Sequence, residues 1–192
     1  MLEIRFENST LRVSVLFLVS TVIVLSLDRS GVGILCLLFS CLHECGHLCA
    51  FAVLGHMPSL VTVGIGGLRI EHAEATLSYK RNIAVSLSGP AVNGVCAVVC
   101  AAVGEWVAMW AAVLLGIMQL LPVRSLDGGQ ALYCALCLYL PHEKAQRVVG
   151  CVSVVCMVCI SAYALYAAAV WKNIWLVLVV CYLFIGFFAN SS

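Results

Sequence analysis

Charge is scarce in this sequence. Lys, Arg, Asp and Glu together make up 10% of the 192 residues, against about a quarter in a soluble domain. So little charge cannot keep a water-facing surface soluble, which excludes an ordinary soluble enzyme. The charges present sum to +1, so there is no basic field to hold nucleic acid. Linkers and internal repeats are missing as well, and residues 1–192 read as a single domain. A signal-peptide cleavage site is absent after the charged N-terminus, so the first apolar stretch reads as a span. Cysteine is plentiful, at 12 residues, but a disulfide framework is not. Pairs such as Cys134/Cys137 and Cys156/Cys159 lie inside apolar runs, where cysteine behaves as a small hydrophobe. No second pair in a polar loop completes a four-thiolate metal site.

What remains is hydrophobic: 64% of the chain, with a mean hydropathy of +1.11. The apolar runs predict an all-α polytopic membrane protein of about six transmembrane helices, near 11–27, 32–54, 83–103, 106–140, 148–170 and 174–189. The fourth run exceeds one straight crossing at about 1.5 Å per residue. Pro122 and the Gly128-Gly129 pair predict a break near 121–127. Non-helical backbone at that depth is tolerated only where it lines an enclosed or watery site. Residues 28–31 and 141–144 read as polar turns. Between the second and third spans, 60–79 changes period: Val61, Val63 and Ile65 alternate with Thr62 and Gly64, and Leu68-Arg69-Ile70-Glu71 alternates again. This is β-hairpin patterning with Gly66-Gly67 as the turn. It is either a surface loop or an edge that pairs with an extended substrate. Arg5, Arg12, Arg69, Lys80, Arg81, Lys144 and Arg147 fall on one side of a six-span topology, and Arg29 and Lys172 on the other. The positive-inside bias then puts both termini in the cytoplasm.

The chemistry lies inside the second span, at His43-Glu44-Cys45-Gly46-His47. Two histidines four residues apart share a helix face and can bind one metal ion. Glu44 stands beside them, where a carboxylate can take a proton from a water molecule held there. Shuffling this composition gives roughly 0.005 such motifs per chain, so chance is a poor explanation. A charge at the centre of a membrane helix costs about 2.5–3.5 kcal/mol on the insertion scale, which a ligand or ion pair must offset. The second intramembrane carboxylate, Asp127, sits at the predicted break. Counted from the cytoplasmic helix ends, His47 is roughly 10 Å deep and Asp127 at most about 20 Å, so the two can meet within the error of the helix ends. Two histidines and one carboxylate leave a fourth position open, the arrangement of a catalytic zinc site. Asn93, in Ser88-Gly89-Pro90-Ala91-Val92-Asn93, falls on a face that can point inward, in a helix the Gly-Pro pair should loosen.

Taken together, these residues resemble the site-2 protease family of intramembrane zinc metalloproteases. Within it they are most like the bacterial stage IV sporulation protease type, without its C-terminal regulatory domain. The resemblance is carried by HECGH, the Gly-Gly hairpin, the Ser-Gly-Pro-x-x-Asn segment, Pro122 with Leu126-Asp127-Gly128-Gly129, and Lys144-Ala145-Gln146-Arg147. It implies one zinc ion per chain held by His43, His47 and Asp127, with Glu44 as general base. It further implies cleavage of transmembrane or membrane-associated substrates, in a multi-pass protein of the bacterial cytoplasmic membrane with a regulatory membrane partner. Gln119 stands where the family usually has Asn; with Asn93 it is a candidate for positioning substrate. Arg124 intrudes where the family is apolar, and is expected to snorkel or form an ion pair. The alternative is a non-proteolytic zinc protein, a carrier or an inactive partner-binding relative. A carrier needs a polar path across the bilayer, and only Asn93, Gln119 and Arg124 lie at depth beyond the zinc cluster.

Overall fold

The computed structural model describes residues 2–6, 9–13, 19, 21–22, 25–26, 28–55, 60–64, 67–71, 77–172, 180 and 184. The chain is mostly helical and divides into two compact units, Met1–Met118 and Gln119–Ser192. The first unit carries strands β1 (Leu2–Phe6), β2 (Ser9–Val13), β3 (Leu60–Gly64) and β4 (Gly67–Glu71). It also carries helices α1 (Val32–Val53), α2 (Tyr79–Ala102) and α3 (Trp106–Gln119), whose last residue falls beyond the unit boundary. The second unit carries α4 (Asp127–Cys137) and α5 (His142–Trp171).

Three described helices are long and apolar enough to cross a membrane: Val32–Val53, Tyr79–Ala102 and His142–Val170. Their outward faces are apolar too, with Val98 70% and Val158 60% exposed. Such faces would be a liability in water and are at home in lipid. In the first unit α1, α2 and α3 meet through small side chains. Ala97, Ala108, Ala111 and Ala112 are buried around Phe39, as expected where helices associate by close packing rather than by escape from water. α2 runs unbroken through Pro90, so the loosening expected there does not interrupt the helix.

The break expected near 121–127 in the stretch 106–140 is present, between two short helices of 14 and 11 residues. At about 1.5 Å per residue, neither reaches across a hydrocarbon core of about 30 Å. Residues 141–144, read as a turn, contain the start of α5, with Pro141 at its N-cap. A proline there loses nothing, because the first helical N–H groups have no partner within the helix. Leu11, taken as the start of the first span, lies in β2, which pairs antiparallel with β1 and parallel with β3. The segment Leu2-Glu3-Ile4-Arg5-Phe6 alternates apolar and charged residues, a strand period. β3 and β4 pair antiparallel with Gly64 opposite Gly67. Gly67, expected in the turn, lies in β4. Most of the predicted spans 11–27 and 174–189 lie outside the described residues.

The entry to α1 is held by a side chain. Asp28 Oδ2 accepts from the backbone N–H of Gly33 at 2.8 Å and of Ile34 at 3.4 Å. Its Oδ1 accepts from the Ser30 backbone N–H at 3.0 Å and the Ser30 hydroxyl at 2.8 Å. The carboxylate thus supplies partners that the first helical turn lacks. The Ser30 hydroxyl is the main cause of an Asp28 pKa below the ordinary value of 3.8, with the backbone donors adding to it.

Candidate metal centre

His43 and His47 lie one turn apart on α1 and are buried, at 2% and 7% exposure. Their rings meet edge to face, with centroids 4.8 Å apart, and their Nε2 atoms stand 3.1 Å from each other. Two nitrogens held about 2.0–2.1 Å from one zinc ion at a tetrahedral angle would be roughly 3.3 Å apart, so the spacing fits a shared ion.

The helix opposite supplies the rest. His47 Nδ1 donates to the Val85 carbonyl of α2 at 2.8 Å, which fixes its tautomer and leaves a lone pair on Nε2. The Ser88 hydroxyl donates to the same carbonyl at 2.6 Å. Behind His43, the Asn93 amide nitrogen stands 3.2 Å from Nδ1. Gly89 covers the pair. A Cβ at this glycine would stand 2.6 Å from both Nε2 atoms, so a missing side chain is what keeps the space beside the imidazoles open. Gly89 also precedes Pro90, where a Cβ would disfavour helical backbone. Gly46 serves the same approach from α1: a Cβ there would meet the Ser88 carbonyl oxygen at 2.9 Å. Glu44 follows His43 on α1 and is half-buried.

In the second unit Asp127 opens α4 and lies in its first turn, where the helix dipole favours a negative charge. The break that leads to it is pinned by Ser153 of α5, which is fully buried. The Ser153 hydroxyl donates to the Pro122 carbonyl at 3.1 Å and accepts from the Arg124 backbone N–H at 3.0 Å. After Asp127 the backbone passes its own preceding turn very closely. A Cβ on Gly128 would stand 2.0 Å from the Leu120 carbonyl oxygen, and one on Gly129 2.1 Å from that of Val123. Gln119 ends α3, half-buried. The Arg124 side chain is exposed and lines an open cleft with Gln130, Tyr133, His142 and Gln146.

No protein-family model matches the chain, and no curated protein matches it by sequence. Among solved structures, a site-2 protease from Methanocaldococcus jannaschii aligns over 100% of this chain and 95% of its own, with a TM-score of 0.72 and 18% identity. The fold resembles that of a site-2 protease. At that identity the likeness concerns the fold, and it spans both units.

The structure brings His43, His47 and Asn93 together within the first unit. Asp127 and Gln119 belong to the second. Sequence reasoning missed the cover formed by Gly89, the Val85 carbonyl that orients His47, and the Ser153 clamp. Only Gly89 left a signal, as a Gly-Pro pair inside an apolar run; a lone serine in an apolar helix carries none.

Proposed function

We propose that this protein is an intramembrane zinc metalloendopeptidase that cleaves transmembrane or membrane-associated proteins. The observation that carries the reading is the buried histidine pair, with Nε2 atoms 3.1 Å apart beneath a residue with no side chain, on a helix apolar enough to cross a membrane. The donor set fits zinc: His43 and His47 give two imidazole nitrogens, Asp127 gives a carboxylate oxygen, and one position is left for water and substrate. Zinc bound there would lower the pKa of water toward about 7 and polarise a peptide carbonyl. Glu44 takes the proton of the attacking water and returns it to the leaving amine. The likeness in fold to a site-2 protease supports the same reading, and the sequence motifs favour the stage IV sporulation type within that family.

A helical substrate hides its carbonyls in hydrogen bonds and must unwind before it is cut. β4 lies at the edge of the sheet, where strand addition would hold an extended segment. Asn93 and Gln119 are the polar side chains we assign to the neighbourhood of that segment, and a regulatory membrane partner would act at this step. The protein would cross the bacterial cytoplasmic membrane about six times, with both termini in the cytoplasm.

The test compares the wild type with Glu44→Gln, co-expressed with candidate membrane substrates. Fragments should appear with the wild type and fall by about 10²–10⁴-fold in the variant, while each chain keeps one zinc ion. Cleavage undiminished in Glu44→Gln would remove Glu44 from the reaction. Zinc flux through purified protein in liposomes without any cleavage would sink the protease reading.

A further inference from the structure

The cleft lined by Arg124 lies wholly within the second unit and has a volume of about 170 Å³. The proteolysis proposed above makes no use of it. Along α5, His142, Gln146, Val149 and Ser153 follow at steps of four, three and four, so they share one face. The first three line the cleft. Ser153 holds the backbone N–H of Arg124 at 3.0 Å, about 16 Å along the helix axis from His142. The cleft therefore runs along the groove between α4 and α5, from the break toward the start of α5. Gln130 and Tyr133 of α4 form the other wall.

Every polar side chain along this groove can donate a hydrogen bond: a guanidinium, two primary amides, a phenol and an imidazole. No carboxylate lines it among the described residues. None pairs with the Arg124 guanidinium either, so the ion pair expected for it is not formed within the described chain. The two walls are tied together, because the Tyr133 hydroxyl and His142 Nδ1 share a hydrogen bond. Their rings meet edge to face with centroids 5.6 Å apart. Donors held in place this way lose little freedom when a ligand arrives.

The residues around the mouth belong at a membrane surface. α5 is long and apolar enough to cross a membrane, and its first turns carry Glu143, Lys144 and Arg147, all exposed. Tyr139, just past α4, is 87% exposed, and tyrosine gathers at the level of the headgroups. Leu138 and Val148 nearby are exposed and apolar, as lipid contact requires. The anions met at that level are lipid phosphates, which basic pockets between spans hold by charge-assisted hydrogen bonds.

We propose that the cleft between α4 and α5 binds the phosphate group of an anionic lipid, with Arg124 as its charge partner and Tyr133 and Gln146 as further donors. A zwitterionic headgroup brings its own cation and gains less from the guanidinium. The bound lipid would bridge the break before Asp127 to the start of α5. This role goes beyond proteolysis and does not depend on a metal at the histidine pair.

The test titrates the full chain in detergent with short-chain phosphatidylglycerol, short-chain phosphatidylcholine and inorganic phosphate, read by calorimetry. Phosphatidylglycerol should bind more tightly than phosphatidylcholine. Its affinity should fall about 10–100-fold in Arg124→Gln, which removes a charge-assisted contact, and by a smaller factor in Tyr133→Phe. Arg147→Gln removes the same charge from an exposed position outside the cleft and should change the affinity by less than about fivefold. Inorganic phosphate binding as tightly as phosphatidylglycerol, with the same loss in Arg124→Gln, supports the phosphate site and makes free phosphate its ligand. If Arg124→Gln does not fold, nitrogen-15 NMR of the wild type decides: the Arg124 Nε–H signal should shift with phosphatidylglycerol and that of Arg29 should not. Equal affinity for the two lipids, no loss in a folded Arg124→Gln protein, equal losses in Arg124→Gln and Arg147→Gln, or an unmoved Arg124 signal overturns the proposal.

Discussion

His43 and His47 are placed by the regular turn of a long helix, Asp127 by the end of a chain break, and the two supports fail in different ways. On α1 the spacing of four residues puts both imidazoles on one face, and α2 contributes a glycine, a carbonyl and an amide around them. The support there is the absence of a side chain at Gly89. In the second unit nothing periodic holds Asp127. Its place depends on a hydroxyl clamp from Ser153 and on two glycines whose backbone passes close to the preceding carbonyls. The helical site is thus sensitive to a side chain added at Gly89, and the turn-borne site both to a side chain added at Gly128 or Gly129 and to loss of the Ser153 hydroxyl.

The sharpest way to break this contrast is Gly89→Ala. Its new Cβ would stand where real Cβ atoms essentially never do, against both Nε2 atoms, and zinc binding should be abolished. Gly94→Ala on the same helix is the control, because nothing lies within 4 Å of the added Cβ, and its zinc content should equal that of the wild type. A Gly89→Ala protein that still holds one zinc ion would show that the open space is not what the histidines need.

Removing the clamp should have a moderate effect. Ser153→Ala leaves the Pro122 carbonyl and the Arg124 N–H without their buried partner, which should cost about 1–3 kcal/mol of stability. Thermal unfolding in detergent measures this. Limited proteolysis should find new cuts near residues 121–126, while the His43–His47 pair keeps its tautomers in NMR. A change of equal size at both sites would show that the two supports are not independent.

The smallest effect belongs to Asp28, half-buried just before α1. Its pKa is lowered in the folded protein, so its contribution is fully present above the unfolded value, near 3.8. It is lost as pH falls through the lower folded value. Asp28→Asn should therefore remove a slight stabilisation at neutral pH and none at a pH well below both values. Hydrogen exchange at Gly33 and Ile34, the two N–H groups it holds, would detect the loss as faster exchange at neutral pH only.

Local chemistry explains which parts were legible. Hydropathy marked the runs that become α1, α2 and α5, because a lipid-facing helix must be apolar along its whole length. Pro122 marked a break because a ring without an N–H cannot continue a helix. The reading missed the start of α5, which lies at His142 inside what read as a turn; the start of α1 at Val32 was legible, but the Asp28 carboxylate that holds it was not. Of the proposed ligands His43 and His47 stood out, with Glu44 beside them in sequence, because the spacing of four residues is itself the geometry.

By itself, then, the sequence determined that this is an apolar, helix-rich membrane chain with two imidazoles on one helix face and an acid next to the first of them in sequence. Those properties follow from composition and from a period of 3.6 residues, which neighbours in sequence are enough to set. Only the tertiary structure decided that Gly89 leaves room beside the imidazoles, that Val85 and Asn93 stand behind them, and that Ser153 pins the break before Asp127. Each of these is a contact between residues about thirty to fifty apart, made by backbone carbonyls, an amide and a missing Cβ. Such groups act through where the fold puts them and leave no periodic mark on the chain.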